Sequence, residues 1–102
     1  MVYLSLCMER LLALLNSLTK EERVQFALDT GFSWGHLRNV AYGDKPCKPE
    51  CASAIERESA KFGDHRKVNR WDLIPDDWWW IYPELVGKQG APEVPEKARS
   101  AA

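Results

Sequence analysis

Ser33, Trp34, Arg38, Asn39 and Tyr42 fall within ten residues, and their side chains suit the groups that base pairs expose. A guanidinium can bond guanine O6 and N7 together, and a carboxamide can bond adenine N7 and N6. An aromatic edge can lie against a thymine methyl. Ser33 reads as the first residue of a helix, where free backbone amides can meet a phosphate. Gly35 weakens that helix by about 1 kcal/mol relative to alanine, but lets the backbone come close to a partner. Arg23, Gly35, Lys45, Lys48, Arg66 and Lys67, with Arg70 beside them, are the expected phosphate contacts. Such binding would weaken with salt by a logarithmic slope of about 0.9 per phosphate neutralised.

Other chemistries fit the residues less well. Cys47 and Cys51 have a ligand-like spacing, and His36 or His65 would be the residues to complete a zinc site. Cys51, however, falls on an apolar helical stripe, where cysteine behaves as a small hydrophobe. No second cysteine pair exists, and Cys7 is distant in sequence. A cysteine nucleophile would need an orienting third group and an oxyanion donor, and neither is evident. Asp76 and Asp77 read as helix-start carboxylates rather than as an acid–base pair. No metal, no cofactor and no enzymatic activity is expected.

The elements that must position the Ser33–Tyr42 segment are helical. Leu4, Cys7, Leu11, Leu14, Leu15 and Leu18 recur at steps of three and four, as on one buried face of a helix. Leu11, Leu12, Leu15 and Leu18 are its expected core. Tyr3, Leu4 and Cys7 extend the stripe and would either fray or form a seam against a second chain; Met8 is an alternative start. Thr19 and Glu22 form a capping-box pair, so a second helix begins at Lys20 and runs to Thr30, where Gly31 turns the chain. Ser33 caps a third helix with an apolar stripe of Trp34, Leu37, Val40 and Ala41, ending by Gly43. Phe26, Phe32, Leu37 and Val40 point inward, and Ser33, Trp34, Arg38, Asn39 and Tyr42 lie on the exposed side. Two helices joined by a tight glycine turn form a helix-turn-helix layout. Ala27 falls where the two helices approach most closely. Thr30 is polar where an apolar side chain is usual.

Pro49 opens a fourth helix with Cys51, Ile55 and Phe62 inward, closed by Gly63. Asn69 and Asp72 cap a short helical turn over 70–73, in preference to a strand. Pro75-Asp76-Asp77 reads as another helix start, and Pro83 keeps that helix short. Trp71, Trp78, Ile81, Tyr82 and Leu85 are expected to fold back as a lid on a small core. Trp79 and Trp80 cannot both face inward beside Trp78, so at least one anchors an interface. The fold class is therefore all-α, about five short helices over 9–86, with a helical extension over 1–8 and a mobile tail over 87–102.

Length and composition agree with one small domain: 102 residues, 45% hydrophobic, 28% charged and 11% aromatic. The chain has little room for a deep substrate pocket. The net charge is −1, yet residues 31–70 carry eight basic and five acidic side chains, so attraction to phosphate must be local. Three cysteines and the absence of a signal-like or spanning stretch point to a reducing, cytoplasmic setting and to no membrane partner.

Three ordered blocks carry a resemblance. They are Gly-Phe-Ser-Trp-Gly-His-Leu-Arg-Asn-Val-Ala-Tyr-Gly over 31–43, Pro-Glu-Cys-Ala-Ser-Ala-Ile-Glu-Arg-Glu-Ser over 49–59, and Val-Asn-Arg-Trp-Asp-Leu-Ile-Pro-Asp-Asp-Trp over 68–78, followed by Trp-Ile-Tyr-Pro-Glu-Leu over 80–85. Over about residues 9–86 the chain resembles the Cro-type repressors of phages and prophages, grouped with YdaS-like antitoxins. The resemblance implies a lambda-repressor-like domain in a bacterial cytoplasm that binds a palindromic double-stranded DNA operator as a homodimer. Trp34 is larger than the pattern expects, Cys51 replaces an aliphatic residue, and the run Trp78-Trp79-Trp80 is unusually rich. Tyr3, Leu4, Trp79 and Trp80 are the candidate dimer or partner contacts. The alternative expectation is an antitoxin or adaptor that holds a toxin or another protein through its tryptophan-rich end.

Overall fold

Leucines at helical spacing draw the first helix inward. In the computed structural model, which describes residues 6–94 and their side chains from Glu9 onward, α1 spans Leu6–Ser17. Leu11, Leu14, Leu15 and Leu18 are buried, and Leu12 packs half-buried beside them. The expected contacts of Tyr3 and Leu4 lie outside the described residues.

The second helix, α2 (Lys20–Thr30), begins as its capping box requires. The Glu22 amide donates to Thr19 Oγ1 at 3.1 Å, and the Thr19 amide donates to Glu22 Oε1 at 2.9 Å. Gly31, at φ 81°, then takes the left-handed conformation that reverses the chain. Thr30 is buried because its hydroxyl is used locally. It donates to the Ala27 carbonyl and accepts from the Phe32 amide, so a polar side chain closes this turn without an unpaired group.

After that turn come α3 (Trp34–Ala41) and α4 (Pro49–Ser59), then a 3-10 turn over Ala60–Phe62. Leu37, Val40 and Ala41 of α3 meet Cys51, Ala52 and Ile55 of α4 in one core with α1 and Phe26. Helix α1 packs on α3, α2 packs on α4, and α2 and α3 form the expected helix-turn-helix pair. Ser59 is fully buried and its hydroxyl accepts from the Val68 amide at 2.9 Å, tying the following loop to α4.

The short helix α5 (Arg70–Leu73) lies where Asn69 and Asp72 place it, and no strand forms among the described residues. The Asn69 amide donates to Asp72 Oδ2 at 3.0 Å. The next helix starts later than expected. Residues 75–77 form a turn, and α6 spans Trp78–Ile81, with Asp77 making no side-chain cap bond. A 3-10 turn over Pro83–Leu85 follows. Trp78, Tyr82 and Leu85 are buried in a second cluster, with Trp71, Trp79 and Ile81 partly buried around them. The Tyr82 hydroxyl donates to the Pro49 carbonyl at 2.8 Å and lies 3.0 Å from Ser53 Oγ, which pins this lid to the start of α4. The segment after Gly87, expected to be mobile throughout, lays Ala91 and Val94 against the same cluster. Two more apolar side chains there gain a covered surface that the lid alone provides.

The fold is thus all-α, six short helices and two 3-10 turns among the described residues.

Candidate nucleic-acid interface

At 100° per residue, Arg38, Tyr42, Gly35 and Asn39 fall in one arc of about 100° on α3, while Leu37, Val40 and Ala41 fall on the other side. The structure follows that geometry: Arg38, Gly35 and Asn39 are exposed, Tyr42 is 48% exposed, and the opposite residues are buried. Ser33 stands exposed at the head of the helix, its hydroxyl accepting from the His36 amide at 3.1 Å. The Arg38 guanidinium lies 5.5 Å from the Tyr42 ring centroid, a one-turn pair that orients the cation along the exposed face. An added Cβ at Gly35 would meet no atom within 4 Å, so open space lies above the first turn.

Trp34 differs from expectation. It sits at the border of the exposed arc, so the indole is half-buried against the core rather than free. Arg23 of α2 covers it, with its guanidinium 5.3 Å from the ring centroid and its Nε donating to the Leu18 carbonyl at 3.3 Å. The pair brings Arg23, remote in sequence from α3, to the head of that helix. Trp34 is therefore a half-buried ring beneath a cation rather than a free one.

Lys45 and Lys48 are also beside α3. Both are exposed and border a cavity of about 460 Å³ shared with Phe32, His36 and Glu50. The Asn39 carbonyl accepts from the amides of Asp44 and Lys45, at 2.8 and 3.3 Å, folding the loop onto the end of α3. Asp76 and Asp77 share a surface depression with Gly43 and Lys45, so the C-terminal end of α3 is bordered by carboxylates. The remaining cations are elsewhere. Arg66 lies over the Phe62 ring, which packs on Phe26. Phe26 and Phe62 line a depression with Glu22, Gln25, Asp29 and Glu58, separate from the groove that Arg23 and Ala27 line. The Lys67 carbonyl accepts from Arg10 Nε of α1 at 3.1 Å, which holds its loop toward α1. The ring contact of Arg66 and the backbone contact of Lys67 are thus made with Phe62 and with α1. Arg70 is taken out of use altogether: its Nε donates to Glu56 at 2.8 Å, its Nη1 reaches Glu84 at 3.4 Å, and it stacks 4.5 Å over Tyr82.

Sequence spacing passed over a groove between α2 and the head of α3. Val24 and Leu28 are 58% and 69% exposed there, beside Ala27, Phe32 and Trp34 and under Lys20 and Arg23. Their signal is an apolar pair four residues apart on a helix whose buried side carries Phe26 and Thr30.

Cys51 is buried and Cys47 half-buried; a hydrogen bond to Cys51, reinforced by burial, pushes the Cys47 thiol well above the ordinary thiol range. Among the described residues, no group of three or more His, Cys, Asp and Glu side chains is placed to hold a metal ion. No described helix is long and apolar enough to cross a membrane. Comparisons with protein-family models, curated proteins and solved structures return no match.

Proposed function

We propose that this chain is a sequence-specific double-stranded DNA-binding regulator of the Cro type, reading bases with the exposed face of α3. The observation that carries this reading is the arc of Arg38, Asn39, Gly35 and Tyr42, outward on a helix whose other side is core. Arg38 supplies a bidentate donor pair and Asn39 a donor and an acceptor, and Ser33 with its first-turn amides faces a phosphate. Arg23, Lys45 and Lys48 flank the helix and neutralise the backbone. One eight-residue helix reads few base pairs, so two copies one duplex turn apart, about 34 Å, would read a palindromic operator.

Selection of bound duplexes from a random library tests the proposal. A shared sequence should be enriched from cycle to cycle. Arg38→Ala and Asn39→Ala should each cost about 1–3 kcal/mol on the enriched duplex and relax its sequence at one base pair. Recovery of unrelated sequences by the unaltered protein refutes base reading.

A further inference from the structure

We infer that a second copy of this chain inserts its Trp80 side chain into the groove between α2 and the head of α3. Trp80 is 81% exposed, on a helix whose neighbours Trp78 and Trp79 are respectively buried and half-buried. It is therefore held out on a fixed support. The Tyr82 hydroxyl, pinned to α4 through Pro49, keeps that support in place, and Trp80 is not among the residues that line the groove of its own chain.

The groove has the complementary character. It encloses about 650 Å³, and Val24, Ala27, Leu28, Phe32 and Trp34 form its walls. Lys20 and Arg23 are its charged residues, and no carboxylate lines it. Trp80 is accompanied by the exposed carboxylates of Asp76 and Asp77, one turn before it. Acidic groups beside the indole thus face basic groups beside the groove. Arg23 already lies over Trp34, and a second indole on its open face would complete a stacked cation–π arrangement. The donor and acceptor surfaces differ, which makes the contact heterologous. One aromatic side chain with two flanking charge pairs is less than a standard interface of about 1,200–2,000 Å², so the association is a weak one.

The groove ends at Ser33 and Trp34, and a copy seated there covers the head of α3. Resting on the DNA reading above, this consequence makes the assembly and the DNA-bound form alternatives.

Sedimentation velocity of the full chain from about 5 to about 500 µM tests the contact, a range that brackets a weak interface. The unaltered protein should sediment faster as its concentration rises. Trp80→Ala and Leu28→Glu, both at exposed positions and checked for helix content by circular dichroism, should each remain monomeric. An equimolar mixture of the two variants should associate again, because one keeps the groove and the other keeps the indole. A monomeric unaltered protein, association that survives either substitution, or a mixture that stays monomeric overturns the inference. A random-sequence duplex added at low salt should dissolve the assembly. A duplex that binds without displacing the partner overturns the seat at Ser33 and Trp34, whereas one that does not bind at all overturns the DNA reading and leaves the self-contact standing.

Discussion

Gly35→Ala separates what the fold needs from what the proposed partner needs. The glycine is exposed in the first turn of α3, and a methyl group there meets nothing within 4 Å. Its backbone requires no left-handed angle, since Gly31 and Gly43 take those at either side. The fold therefore gives no reason for glycine, and alanine should stabilise the helix by about 0.5–1 kcal/mol. For a domain of this size that is a rise in Tm of about 2–8 °C. If α3 enters a groove, the same methyl faces the duplex and should weaken binding about tenfold or more, since about 1.4 kcal/mol of lost contact suffices. Thermal denaturation by circular dichroism and fluorescence anisotropy on the enriched duplex measure the two effects on one sample. A higher Tm with unchanged affinity would refute close approach at Gly35. A lower Tm would refute its place in an open, exposed turn.

Lys45→Ala should weaken all duplexes alike and lower the logarithmic salt slope by about one, whereas Arg66→Ala, whose guanidinium lies over Phe62, should leave the slope unchanged; anisotropy across a salt series separates them. Arg70→Ala removes the cation shared by Glu56 and Glu84 and should cost about 1–3 kcal/mol in urea denaturation without a specific effect on DNA. Glu58 is buried beside Lys61 and Arg57, whose hydrogen bonds and charges hold its carboxyl below the usual carboxylate range. Its stabilising contribution is complete at neutral pH, because the unfolded chain gives up the same proton only at a higher pH. That contribution fades as pH falls from the ordinary carboxylate value through the depressed one. Glu58→Gln should flatten the acid limb of a stability–pH curve, and an unchanged limb would contradict the assignment.

What was legible in the sequence was local. The Thr19–Glu22 box, the Gly31 turn, the Ser33 cap and the Asn69–Asp72 box each join residues three apart or fewer, so spacing alone decides them. The buried stripes of α1 and α3 follow from helical period in the same way. The contacts of Arg66, Lys67 and Arg70 are not legible in the sequence, because they depend on how the loop after α4 meets the rest of the domain. Glu56 and Glu84, each fourteen residues from Arg70, decide its fate, and no motif announces them. Trp34 was ambiguous even by period, since it falls where the buried and exposed arcs meet. The Val24–Leu28 groove was readable as an apolar pair off the core face, yet its walls from Phe32 and Trp34 exist only once the two helices cross.

The central claim, that the outward face of α3 reads base pairs, meets its most direct measurement in the affinity of the Arg38→Ala/Asn39→Ala double variant, set beside the unaltered protein. Both are titrated at one salt concentration on the selected duplex and on a scrambled duplex of equal length. The account predicts a loss of about a hundredfold or more on the selected duplex, as two bidentate contacts imply, and a much smaller change, from one lost cation, on the scrambled one. Equal affinity of the two proteins for the selected duplex, within twofold, would contradict it.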